Sequence, residues 1–208
     1  MRIVIAGGPT REYVDPVRFI SNASTGEFAF RIAECAKKKG HTVHLIMGPA
    51  CLAKIRGIKC VDVETADEMV RAIKKVYKSS DCVVMAAAVC DFKAKRIAGG
   101  KIKKQSLWRP VFEKNIDIAA CMSKWPGKKI RVGFALESGG LLANARKKMK
   151  DKAFDFIVAN RISRKKSPFG SGKKNFLLIK STGVVEKYTG KTKAEMAAVI
   201  IDNIERLW

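Results

Sequence analysis

Two short runs, Ile3-Val4-Ile5-Ala6 and Cys82-Val83-Val84-Met85-Ala86, are apolar at every position. A strand with one face in water alternates polar and apolar residues, whereas an uninterrupted apolar strand has to be covered on both faces. That is the condition of a parallel sheet between two layers of helix. The intervening residues supply such layers. Phe28 to Ala36 has apolar residues at helical spacing, and Gly40 suits the C′ position after it; Thr42 to Met47 and Ile58 to Val63 read as strands. Thr65 and Glu68 have capping-box spacing, in which hydroxyl and carboxylate satisfy each other's orphan backbone N–H groups, so a helix is predicted from about Ala66 to Lys78. The order β-α-β-β-α-β is solved by an α/β, doubly wound, mainly parallel sheet.

Residues 93–112 break this rhythm, being polar and basic with two glycines, and read as a long loop or a flap with a weak hairpin. Regular structure resumes with a short helix at Asp117 to Lys124, a strand at Ile130 to Ala135, a helix at Leu141 to Lys150 and a strand at Asp155 to Ala159. After a second basic loop, Asn160 to Lys174, the segments Asn175 to Lys180 and Val184 to Tyr188 flank Ser181-Thr182-Gly183 as a C-terminal hairpin. Thr192 and Glu195 form another capping box, opening a helix with Met196, Val199, Ile200 and Ile204 on one face. A chain of 208 residues suffices for one such domain, so residues 1–208 are expected to form a single Rossmann-like unit.

Lys and Arg number 42 against 19 Asp and Glu, a net charge of +23, so an anionic partner is expected unless the charge is only a solvated lysine-rich surface. The basic residues are spread along the chain, which argues against a disordered arm. A nucleic-acid-binding module is the rival reading, although no zinc site, helix-turn-helix or aromatic-studded sheet supports it. The six cysteines have no metal-site spacing and read as reduced, mostly buried thiols. His41 and His44 lie on or beside a strand without an evident partner. No apolar run reaches membrane-spanning length, and the N-terminal run is too short for a signal peptide; a soluble, cytoplasmic protein is expected.

Ligands of open α/β sheets sit beyond the carboxyl ends of the strands. There the chain places the loop from Gly7-Gly8 to Gly26, then Ala87-Ala88-Val89-Cys90-Asp91, then Glu137-Ser138-Gly139, then Asn160. Gly7-Gly8 can cradle a phosphate or simply make a tight turn; neither GxGxxG nor a Walker loop is present. Ser24-Thr25-Gly26 can cap the following helix, and a helix start also binds anions. Asn22 precedes the cap and gains nothing from capping. Lys101-Ile102-Lys103-Lys104 is either an exposed charged loop or a flap that closes over phosphates.

The strings GGPTRE, DPVRFISNASTG, AAAVCDF, KIKK, NIDIAA, VGFALES, LANARKKM, DFIVAN and SPFGSGKKN, in this order, resemble the phosphopantothenoylcysteine synthetase family over almost the whole chain. The resemblance implies a ligase of coenzyme A biosynthesis that joins 4′-phosphopantothenate and cysteine through an acyl nucleotidylate, consuming CTP (or ATP) with Mg²⁺ and releasing pyrophosphate. It implies that Asn22 holds the intermediate, that Lys101 is the catalytic lysine of the flap, and that Ala87 and Ala88 lie beside phosphopantothenate. Asp91, Asp117, Phe134 and Asn160 match nucleotide-side positions, and Lys148 and Lys152 face the triphosphate. Arg18, Ser24 and Gly26 belong with Gly7 and Gly8 to the phosphate-cradling loop. No metal ligands are assigned. A homodimer with the flap reaching the partner is implied, as is a free-standing synthetase served by a separate decarboxylase. Departures from the family pattern are Glu27-Phe28-Ala29 in place of Lys-Met-Gly, Ile116 in place of Pro, and Lys93-Ala94 in place of Arg-Pro.

Overall fold

The structure, a computed structural model, describes residues 1–104, 106–162, 169–170 and 172–208. In chain order the elements are β1 (Arg2–Gly7), β2 (Arg11–Tyr13), β3 (Phe19–Ser21), α1 (Glu27–Lys38), β4 (Thr42–Met47), β5 (Lys59–Asp62), α2 (Ala66–Tyr77) and β6 (Cys82–Met85). There follow β7 (Phe92–Ala94), β8 (Phe112–Lys114), α3 (Ile118–Ser123), β9 (Ile130–Glu137), α4 (Leu141–Asp151), β10 (Phe156–Arg161), β11 (Lys174–Lys180), β12 (Val185–Lys191) and α5 (Lys193–Leu207).

Eight strands form one sheet in the order β12-β11-β10-β9-β6-β1-β4-β5. The pairings from β5 through β10 are all parallel, and β11 and β12 add antiparallel to the β10 edge. The fully apolar runs are the central strands β1 and β6, covered on both faces as their composition demands. One face packs on Ala29, Ile32 and Ala33 of α1 and Met196, Ile200 and Ile204 of α5; the other packs on Met69 and Ile73 of α2, Ile118 and Met122 of α3, and Ala145 of α4. The chain runs from β1 outward to β4 and β5, then returns across the sheet to β6, β9 and β10. The adjacent ends of β1 and β6 are therefore the point where the strand order reverses and a crevice opens.

Both capping boxes form as expected, with Glu68 N donating to Thr65 Oγ1 and Glu195 N to Thr192 Oγ1, each at 3.2 Å. The flap is closed at its base by the antiparallel pair β7–β8.

Four expectations require correction. The polar loop between β1 and α1 contains a second hairpin, β2–β3, with Tyr13 and Phe19 paired across it at a ring separation of 5.5 Å and the Arg11 guanidinium 4.5 Å over Phe19. Three-residue strands are too short to show alternation in the sequence. The N-cap of α1 is Gly26, at φ 74°, rather than a Ser or Thr, although Thr25 Oγ1 accepts from Glu27 N at 3.4 Å. His41 has a partner, Glu205, at 2.9 Å across the α1–α5 interface. Among the cysteines only Cys82 and Cys90 are buried, and Cys51 is exposed. No helix among the described residues is long and apolar enough to cross a membrane.

Candidate functional site

A cavity of about 350 Å³ opens where β1 and β6 part. Its floor is built by an extension of the sheet beyond its strands. Ala86 N donates to Ala6 O and Ala88 N to Gly8 O, each at 2.9 Å, so the Ala86-Ala87-Ala88 backbone continues alongside Gly8-Pro9. Thr10, fully buried, takes Cys90 N on its hydroxyl at 3.0 Å. The Asn22 amide then donates to Ala88 O at 2.9 Å and Val89 O at 3.0 Å, which fixes the side chain in the cavity lining.

One wall is the start of α1, with Ser24 and Gly26. Backbone N–H groups of a first helical turn have no intrahelical partners and carry partial positive charge, so this wall favours anions. The opposite wall carries lysines. Lys148 is held by donation to Phe134 O at 2.8 Å, and burial followed by the neighbouring Lys152 pushes its pKa below the ordinary lysine value. Lys152 pairs with Asp117 at 2.8 Å. Burial pushes the Asp117 carboxyl up, but Lys152 and the Ala120 N–H outweigh it and hold the group below its usual value. Asp117 is also the side-chain cap of α3, accepting from Ala120 N at 3.0 Å. Asp91, Phe134 and Asn160 complete the lining expected from the sequence.

The residues singled out in the sequence do not all meet here. Asn22, Ser24, Gly26, Ala87, Ala88, Asp91, Asp117, Phe134, Lys148, Lys152 and Asn160 line one cavity although they come from six different segments of chain. Gly7 and Gly8 lie beneath it and answer to packing. A Cβ on Gly7 would stand 2.1 Å from Ala29 Cβ on α1, and Gly8, at φ 74°, lies against the backbone of Gly48. Arg18 and Lys101 line a separate hollow of about 390 Å³ with Ile102, Lys103 and Trp108. Of SPFGSGKKN, Ser167, Pro168 and Ser171 lie outside the described residues, as do Arg164, Lys165 and Lys166 of the second basic loop.

Sequence reasoning missed Lys193, which lines the cavity from the first turn of α5 with its Nζ 2.5 Å from Glu27 Oε2. No local pattern marks that pair, because 166 positions separate its members. It also missed Thr10 and Asp15, whose burial depends on the β2–β3 hairpin.

An open sheet in the order β5-β4-β1-β6-β9-β10, with a lysine-walled cavity at its switch point, defines a Rossmann-like domain suited to an anionic ligand. The chain belongs to the DNA/pantothenate metabolism flavoprotein C-terminal domain family, whose pattern matches residues 1–207. It is 37% identical over 206 residues to a cysteine/cysteine sulfinic acid decarboxylase of an unknown prokaryotic organism, covering 98% of this chain and 57% of that protein. It is 39% identical over 171 residues to the coenzyme A biosynthesis bifunctional protein CoaBC of Bacillus subtilis, covering 81% and 42% respectively. The chain thus spans about half the length of the curated relatives it matches. Among solved structures it superposes on the C-terminal domain of a CoaBC protein with a TM-score of 0.85 and 32% identity, over 99% of this chain and 94% of that one. Family and fold agree with the resemblance read from the motifs.

Proposed function

We propose that this domain is a phosphopantothenate–cysteine ligase. The observation that carries the reading is the cavity itself. It brings Asn22, the Ala87-Ala88 backbone and two lysines of α4 and its C-terminal end to the switch point of a sheet, in a chain whose relatives include CoaBC proteins.

A carboxylate resists an amine because its leaving group would be an oxide, so activation has to come first. The 4′-phosphopantothenate carboxylate attacks the α-phosphorus of CTP or ATP; the new O–P bond forms as the bond to the bridging oxygen breaks, and pyrophosphate leaves. The cysteine amine then attacks the acyl carbonyl, the C–N bond forms, the C–O bond to the nucleotide breaks, and the nucleoside monophosphate departs as the amine loses its proton. Each charged group on this path except the amine is an anion. The chain's contribution is therefore positioning and charge neutralisation, without a protein nucleophile. In this reading the Asn22 side chain, oriented by Ala88 and Val89, holds the acyl nucleotidylate, and Lys148 and Lys152 face the phosphates, as do the N–H groups at the start of α1. CTP rather than ATP is the nucleotide that the motif resemblance implies.

Among the described residues no cluster of three His, Cys, Asp or Glu could cage a metal ion. Mg²⁺ fits instead as an ion carried on the nucleotide, since it is commonly held by one or two carboxylates plus phosphate oxygens. Asp91, which lines the cavity and forms no ion pair among the described residues, would hold it. There it would neutralise phosphate charge.

Incubation with 4′-phosphopantothenate, cysteine, Mg²⁺ and CTP or ATP should release pyrophosphate; no release with either nucleotide would sink the assignment. Lys101→Gln is expected to stop pyrophosphate release. Asn22→Asp should still release pyrophosphate while forming little amide. Wild-type turnover in both variants would remove these two roles.

A further inference from the structure

Lys193 breaks two local rules at once. It is a cation in the first turn of α5, where the helix dipole favours anions, and it is 7% exposed although ammonium groups are costly to bury. The helix does not need it there, because Thr192 and Glu195 already cap that terminus. Such violations concentrate at functional sites. The Lys193 ammonium projects to the cavity wall, where it lies 2.5 Å from Glu27 and donates to Phe169 O at 2.8 Å. Glu27 stands in the first turn of α1, beside the anion-favouring N–H groups that follow Gly26. A carboxylate between a helix start and a buried ammonium has around it the set of donors that a phosphate oxygen would take.

We propose that Lys193 is a triphosphate-binding cation of the cavity, and that Glu27 is its resident counter-ion, exchanged for a phosphate oxygen when the nucleotide enters. The proposal rests on the nucleotide-dependent reading given above. It also accounts for an acidic residue at the mouth of a polyanion site: Glu27 keeps the ammonium in place and masked while the cavity is empty, and the pair adds no net charge. On entry the ammonium passes from carboxylate to phosphate, and Glu27 turns outward toward Arg31, which lies 3.9 Å away.

The test is calorimetric titration of the full chain with the magnesium complexes of CTP and ATP, with CMP and AMP, and with 4′-phosphopantothenate. Lys193→Gln should weaken triphosphate binding about tenfold, the size of a lost charge-assisted hydrogen bond, and leave the monophosphates and phosphopantothenate within about twofold. Lys193→Arg should stay within about threefold of wild type, since the charge is kept. Glu27→Gln should tighten triphosphate binding about threefold or more, and the double variant should lose that gain, because the two side chains act as one unit. Wild-type protein that binds neither triphosphate overturns the nucleotide reading and this proposal with it. Wild-type binding that is unchanged in Lys193→Gln overturns this proposal alone, as does an effect confined to phosphopantothenate. A Glu27→Gln gain that persists in the double variant overturns the exchange. If Lys193→Gln does not fold, Lys193→Arg and Glu27→Gln carry the test: binding unchanged or weaker in Glu27→Gln refutes it.

Discussion

A methyl group on Gly7 would meet Ala29 Cβ at 2.1 Å, so β1 and α1 approach one another at a distance that only glycine permits. The same contact sets the start of α1 at the cavity. Gly7→Ala is therefore expected to lower unfolding stability by about 1–3 kcal/mol, the ordinary cost of overpacking a core, through displacement of α1. Denaturant unfolding measures it, and an unchanged midpoint would show that the helix yields freely. This glycine was legible as a turn or a phosphate cradle, and neighbouring Pro9 and Arg11 ruled out a dinucleotide fingerprint; its packing role needed Ala29 in view. Asn22 was legible as an anomaly, a polar residue without a capping task. Its partners, Ala88 O and Val89 O, lie more than sixty positions away and could not be read locally.

The flap is held to the β2–β3 hairpin by a buried carboxylate. Asp15 accepts from Val17 N at 2.9 Å, Arg18 N at 2.8 Å and Ile102 N at 3.1 Å, and from the Arg18 guanidinium at 2.6 and 3.0 Å. Arg18 in turn donates to Ile102 O at 2.6 Å and lies 5.0 Å over the Trp108 ring. The clasp thus closes on the residue between Lys101 and Lys103. Burial pushes the Asp15 carboxyl up, but the donors from Val17, Ile102 and Arg18 outweigh it and hold the group well below the usual carboxylate range. A depressed carboxylate contributes stability above its unfolded value, about 4, and loses it as pH falls from there toward the lower folded value. Amide exchange at residues 101–104 should accordingly be steady from pH 7 to about 4, after correction for intrinsic rates, and quicken below. Asp15→Asn should accelerate exchange in that segment about tenfold at neutral pH while leaving the central strands unchanged. Equal protection in wild type and variant would mean that Asp15 does not hold the flap.

In a single chain the Lys101 hollow is separate from the cavity that holds Asn22. A catalytic Lys101 therefore requires either a large flap movement or a flap supplied by a second copy, and we propose the second, on the homodimer that the motif resemblance implies. Mixing Lys101→Gln and Asn22→Asp subunits, neither of which forms amide efficiently alone, then restores one intact site in each mixed dimer, about a quarter of wild-type amide formation after random exchange. Recovery at background level would place Lys101 in its own chain's site. The net charge of +23 is only partly spent at the cavity, where Lys152 and Lys193 are each matched by a carboxylate.

What the sequence determined by itself is local in origin. Apolar runs dictated buried parallel strands, Thr-x-x-Glu spacing dictated two helix starts, and the polar residues after β1, β6 and β10 marked the ligand face. These follow from the chemistry of neighbouring residues. Tertiary structure decided which of those polar residues share a cavity, that Glu27 meets Lys193 across 166 positions, that Asp15 is buried under the flap, and that Lys101 stands apart. The reason is physical: side-chain partners across a sheet depend on strand order and crossover path, and these are set by how both faces of the whole sheet are covered, a condition that no short segment carries.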